Sequence, residues 1–206
     1  MKQRHFIDIH KGITALAILG MIAIYNQWDN PTAWIYLALH GTYGVLWVLK
    51  SRVFPDQTWE QKCSIWYGLY IWAGLSLYWA APLIITSQSV QVSAWYTAIC
   101  ISMYVLGVFL HFATDMQKHT ALRLQPETLI TDGLLKKSIN MNYFGELLIY
   151  LGFGLLAYHW IPLVVLGLFI GIIWFPNMRR KAKSLSRYAE YTAYRKSANY
   201  FIPFLF

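Results

Sequence analysis

The residues best placed to do chemistry fall in Asn142-Tyr143-Phe144-Gly145-Glu146-Leu147-Leu148-Ile149-Tyr150. Asn142, Glu146 and Tyr150 follow at i, i+4 and i+8, so on a helix they share one face with Tyr143 beside them. Glu146 stands about one turn inside an apolar run, deeper than the other acids. A carboxylate there is costly and marks a functional site by default. The plainer alternative is an acid set favourably against the dipole at a helix start.

Three further patterns could do chemistry. Tyr36, His40, Tyr43 and Trp47 recur at i, i+4, i+7 and i+11, with Lys50 beyond. Such a stripe can line a substrate cavity with proton donors, Tyr and His serving as general acids, or it can bond helices to one another. Tyr104, His111 and Asp115 share a second face. Asp115 could accept from a ribose or an amide, or pair with Lys118 or Arg123. The third pattern is a basic tail, Arg179-Arg180-Lys181-Ala182-Lys183 with Arg187, Arg195 and Lys196, interleaved with Tyr188, Tyr191, Tyr194 and Tyr200. Its cations could clamp phosphates and its rings could stack on a flat cofactor, or the segment could lie on anionic lipid. Gly152-Phe153-Gly154-Leu155-Leu156-Ala157 matches G-x-G-x-x-A in letters alone. No strand precedes it, so it reads as close helix packing and not as a dinucleotide loop.

The elements that must carry these groups are membrane helices. Hydrophobic residues make up 57% of the chain and charged residues 13%, against about 45–50% and about 25% in soluble domains. The reading is an all-α, polytopic membrane bundle of about six transmembrane helices, a single domain over 1–206 with a structured cytoplasmic tail. Spans are expected near 12–25, 33–49, 64–85, 94–113, 143–158 and 162–175, with a break at Ala81-Pro82, a polar loop over 114–141 and the tail at 177–206. The first apolar run ends in Tyr25-Asn26-Gln27-Trp28, with no small-residue cleavage pattern. All 17 Lys and Arg then fall on one side and only Asp29 on the other, which puts both termini in the cytoplasm. The net charge of +8 sits beside the spans, so it points to topology and lipid headgroups and not to nucleic acid. Cys63 and Cys100 imply neither a disulfide framework nor a zinc site, and no metal site is expected.

The C-terminal half resembles the steroid 5-alpha-reductase superfamily, which includes sterol C14 reductases and trans-2-enoyl-CoA reductases. The likeness rests on Asp115, Asp132-Gly133-Leu134, Asn142-Tyr143-Phe144-Gly145-Glu146 and the ending Tyr194-Arg195-Lys196-Ser197 through Ile202-Pro203-Phe204-Leu205-Phe206. His40-Gly41-Thr42-Tyr43-Gly44-Val45-Leu46-Trp47-Val48-Leu49-Lys50 with Phe54-Pro55-Asp56 is most similar to uncharacterised bacterial-type members. Relatives carry an arginine before the Asn-Tyr pair, where this chain has Ile139-Asn140-Met141. A tail histidine common in the steroid enzymes has no clear counterpart.

The resemblance implies an NADPH-dependent enzyme that reduces an activated C=C bond in a lipid-like substrate taken from the bilayer. It implies cofactor contacts at Asp115, Arg123, Asn142, Tyr143, Glu146, Arg187, Tyr188 and Tyr194. Tyr43 would protonate the substrate, Glu146 would orient the cofactor amide, and Tyr36, His40, Trp47 and Tyr150 would line the cavity. The architecture is also similar to isoprenylcysteine and phospholipid methyltransferases, which use S-adenosylmethionine. Their tail carries a Glu-Glu pair, where this tail has the single acid Glu190. The remaining alternative is a non-catalytic membrane protein on the same scaffold. Short loops favour a bacterial inner membrane over the endoplasmic reticulum.

Overall fold

In the computed structural model, residues 1–205 are described, and among them helices and turns account for all regular structure apart from two isolated bridges. Five helices are long and apolar enough to cross a membrane: α1 (Gln3–Ile24), α2 (Pro31–Val53), α3 (Ile65–Ser87), α4 (Ala94–Leu124) and α6 (Trp160–Leu185). A shorter apolar helix, α5 (Met141–Ala157), lies between the last two, and α7 (Tyr191–Ser197) is in the tail. The chain is an integral, multi-pass membrane protein. Large apolar side chains such as Leu16, Trp66, Phe109 and Ile172 face outward, as a helix surface bathed in lipid requires.

The apolar runs locate the helices but not their ends. Residues 3–11 are the first turns of α1 and not a polar lead-in. The expected loop over 114–141 is helical to Leu124. The expected tail over 177–206 begins as the last turns of α6. In each case the backbone ladder continues after the sequence turns polar, because hydropathy marks the edge of the hydrocarbon and not the end of hydrogen bonding.

Local sequence explains the irregularities inside the spans. Asn30 caps α2, its side-chain oxygen accepting from Thr32 and Ala33 N–H at 3.0 and 3.3 Å, with Pro31 in the first turn. In α3 the expected break takes the form of a tight turn at Leu77–Trp79, just before Pro82, which cannot bond the Tyr78 carbonyl. In α6, Pro176 withholds the N–H that Ile172 would take, and a π turn (Ile170–Trp174) precedes it. A second π turn, Leu37–Gly41, interrupts α2 at His40.

The chain divides into two compact units, Met1–Tyr104 with Leu151–Leu166, and Val105–Tyr150 with Gly167–Phe206. In the first, Ile18, Ile22, Tyr36, Ile85, Phe153 and Leu156 are buried. Gly44 lets α2 close on α1: a Cβ there would lie 2.3 Å from the Lys11 carbonyl oxygen. Gly152 has the packing role read from the sequence, since its Cβ would meet the Cys100 carbonyl oxygen at 2.8 Å, whereas at Gly154 the nearest atom is 3.8 Å away. In the second unit, α4 and α5 cross at Gly107 and Gly145. A Cβ on Gly145 would come 2.4 Å from the His111 backbone nitrogen, and one on Gly107 would come 2.6 Å from the Gly145 carbonyl oxygen.

Candidate functional site

The crossing of α4 and α5 concentrates polar groups in the second unit. His111 and Asp115, one turn apart on α4, are 2% and 7% exposed. His111 Nε2 lies 3.9 Å from Asp115 Oδ2. His111 Nδ1 is 3.0 Å from the Asn142 carbonyl oxygen at the start of α5. A carbonyl can only accept, so Nδ1 carries a proton. The side-chain oxygens of Asn140 and Asn142 are both buried, with no hydrogen-bond partner among the described residues. Each is an acceptor held out of water, which is costly unless a donor arrives. Glu146 follows one turn along and is half-buried. Asp115 is thus the more enclosed carboxylate, a ranking that apolar flanks alone invert. Tyr143 and Tyr150 pack against Trp174, with ring centres 5.7 and 6.1 Å away.

The tail fastens the segment that leads into α5. Ser138 and Asn199 form a parallel bridge. Ser138 Oγ donates to the Phe201 carbonyl at 2.8 Å, and Asn140 Nδ2 donates to the Tyr200 carbonyl at 2.8 Å. Tyr194 is buried with Ile139 and Ala198, and its hydroxyl donates to the Leu135 carbonyl at 2.7 Å. Burial pushes the Tyr194 phenol up to about 12. Ile139 fills this apolar cluster, and Lys181 Nζ donates to its carbonyl at 2.5 Å. Arg123 and Arg187 are exposed. Arg187 donates to the Tyr188 hydroxyl at 2.9 Å and lies over that ring. Of the residues expected to bind a cofactor, the structure therefore gathers Asp115, Asn142 and Tyr143 with Glu146 about α4 and α5. It gives Tyr194 a packing role and leaves Arg123, Arg187 and Tyr188 at the surface.

The stripe on α2 belongs to the first unit and divides into two stations. Upstream, the Tyr36 hydroxyl lies 2.9 Å from His40 Nδ1 and donates to the Tyr78 carbonyl at 3.5 Å, the acceptor that Pro82 leaves open. His40 stacks on Phe153 with ring centres 4.2 Å apart. Downstream, Tyr43 is fully buried, with Lys11 Nζ 4.5 Å from its ring centre and Trp47 edge-on at 6.1 Å. The Trp47 indole has Lys11 Nζ at 5.3 Å and Lys50 Nζ at 4.8 Å. Lys11 and Lys50 stand where their apolar runs meet polar sequence, yet both are buried. A signal was available: Lys11, Thr14, Ile18 and Ile22 keep helical spacing and form the inner stripe of α1.

A family profile described as a protein of unknown function, DUF1295, matches residues 1–198. The chain belongs to that family. The match takes in every membrane helix and the docked helix α7. No curated protein matches the chain significantly.

Proposed function

We propose that this protein is a membrane reductase that uses NADPH to saturate an activated C=C bond in a lipid-like substrate. The observation that carries the reading is the unpartnered, buried Asn142 Oδ1 beside the His111–Asp115 pair. A nicotinamide carboxamide offers an N–H that such an acceptor lacks, so the residues present fit the group. Asn142 and Glu146 would hold the amide. Asp115 would accept from a ribose hydroxyl, Tyr143 would border the ring, and Arg123, Arg187 and Tyr188 would swing from the surface to the phosphates. Tyr194 would act indirectly, by fixing residues 135–140.

When bound, NADPH would supply a hydride to the β carbon of an enone or enoyl group. The resemblance to the reductases makes the Tyr43 hydroxyl the candidate source of the proton that completes the saturation. Lys11, over that ring, would offset the negative charge left behind, and Tyr36, His40 and Trp47 lie on the same helix. The distribution of basic residues supports a cytoplasmic location for both termini, and the short loops support a bacterial inner membrane.

The test is calorimetry of the detergent-solubilised chain with NADPH and with S-adenosylmethionine. NADPH should bind, and Glu146→Gln should weaken it about tenfold or more, as expected for loss of a charge-assisted bond. Binding of S-adenosylmethionine alone would move the chemistry to methyl transfer. Binding of neither, or an unaltered Glu146→Gln, would overturn the assignment.

A further inference from the structure

We propose that the outer face of the last turns of α6 is a binding site for anionic lipid headgroups. The segment Phe175–Leu185 has two unlike faces. Met178 is fully buried, Lys181 reaches inward to the Ile139 carbonyl, and Leu185 packs on the Ile139–Tyr194–Ala198 cluster. Spaced at i, i+3 and i+7, these three hold the helix to its own unit. Arg179, Arg180 and Lys183 lie on the other side and are exposed. Among the described residues none of the three forms an ion pair; Arg180 donates only to the neighbouring Asn177 side chain. No acidic residue occurs anywhere between Glu146 and Glu190, so this helix carries no counter-charge of its own.

Position identifies the counter-charge. The apolar part of α6 runs to Phe175, and at about 1.5 Å per residue Arg179 lies about 6 Å further along the axis and Lys183 about 12 Å. The headgroup layer occupies roughly 5–8 Å beyond the hydrocarbon on each side. The two arginines therefore sit in that layer, and Lys183 can bend back to it along its flexible stem. A phosphodiester headgroup accepts from a guanidinium through two oxygens, and neighbouring Arg179 and Arg180 present two guanidinia. The site needs no cofactor and stands apart from the reductase reading.

The probe is phosphatidylglycerol added to the full chain in neutral detergent, with phosphatidylcholine as control and retained lipid counted by native mass spectrometry. Each cation near an anionic surface strengthens attraction about fivefold. The triple variant Arg179→Gln/Arg180→Gln/Lys183→Gln should therefore hold phosphatidylglycerol about 100-fold more weakly, while retention of phosphatidylcholine stays unchanged. Raising the salt should weaken the wild type and leave the variant as it is. The charge-preserving variant Arg179→Lys/Arg180→Lys should lose the bidentate contacts but keep the attraction of charge, and so fall between the wild type and the triple variant, which separates loss of charge from loss of fold. Equal retention of the two lipids by the wild type, or undiminished phosphatidylglycerol in the triple variant, would overturn the proposal. So would stoichiometric displacement of the lipid by inorganic phosphate or NADPH, which would make the face a site for soluble phosphates.

Discussion

Gly145→Ala tests whether the α4–α5 crossing is as tight as the structure has it. The added methyl would lie 2.4 Å from the His111 nitrogen and 2.9 Å from both the His111 Cα and the Gly107 carbonyl oxygen. All three are backbone atoms, so no flexible side chain can yield. Restoring ordinary contact, which begins at 3.4 Å, requires the helices to part by about 1 Å at that point. Overpacking of this kind costs about 1–3 kcal/mol, and in a chain of this size each kcal/mol moves Tm by about 2–4 °C. Gly145→Ala should therefore lower Tm by about 2–12 °C, less whatever alanine returns through helix propensity. The same parting would stretch the 3.0 Å contact from His111 to Asn142 beyond hydrogen-bonding range. Gly20 and Gly167 provide the control, because nothing lies within 4 Å of a Cβ at either. There the change to alanine should gain up to about 1 kcal/mol. Thermal unfolding of the three variants in one detergent decides the matter. A Gly145→Ala protein as stable as Gly20→Ala would refute the close crossing.

Tyr36→Phe strips the buried His40 ring and the Tyr78 carbonyl of a shared partner, and should cost about 1–3 kcal/mol by thermal unfolding; Tyr36→Phe/His40→Phe should recover part of it. The Tyr194 phenol is raised by burial, and secondly by Tyr191, to about 12, above the ordinary value of about 10. Its stabilisation is complete below about pH 10 and is lost as pH rises through about 12, so Tm should fall across that interval in the wild type and remain flatter in Tyr194→Phe. Glu60 behaves oppositely. Hydrogen bonding from Lys2, with Arg4 also at hand, holds its carboxyl below the ordinary 4.5. That contribution is present above pH 4.5 and is lost as pH falls through the lower folded value. Trp59 fluorescence should report release of the N-terminal segment on acidification, and Glu60→Gln should abolish the transition.

Hydropathy made the helical class and the spans legible, because an apolar run must satisfy its backbone internally wherever lipid surrounds it. The ends were not legible: Gln3, Leu124 and Leu185 are helical termini in polar sequence, where hydrogen bonding continues after burial has stopped paying. In the site, His111 and Asp115 could be paired from their spacing, since one turn of helix joins them. The bond from His111 to Asn142 could not, because it spans 31 residues and depends on two glycines meeting. Lys11 was hidden differently. Charge suggested an edge, whereas an aromatic cradle from α2 makes its burial tolerable. The tyrosine–histidine stripe forms one face only along an uninterrupted α-helix, and the π turn at Leu37–Gly41 divides it.

Those π turns also bear on how chains of this kind could change length. A π turn is an α-helix carrying one residue more than its ladder needs. A single-residue deletion within Ile170–Trp174, at Gly171 for instance, would close the ladder and leave helix content intact. It would also leave the downstream faces in place, because the wide turn already takes up the roughly 100° that one residue adds at 3.6 per turn. Met178 would keep its inward place and the arginines the outer face. The same deletion in the regular turns on either side would turn both away, so the two π turns, one in each unit, are the points where a shorter gene could encode an equally helical protein with its chemistry facing the same way.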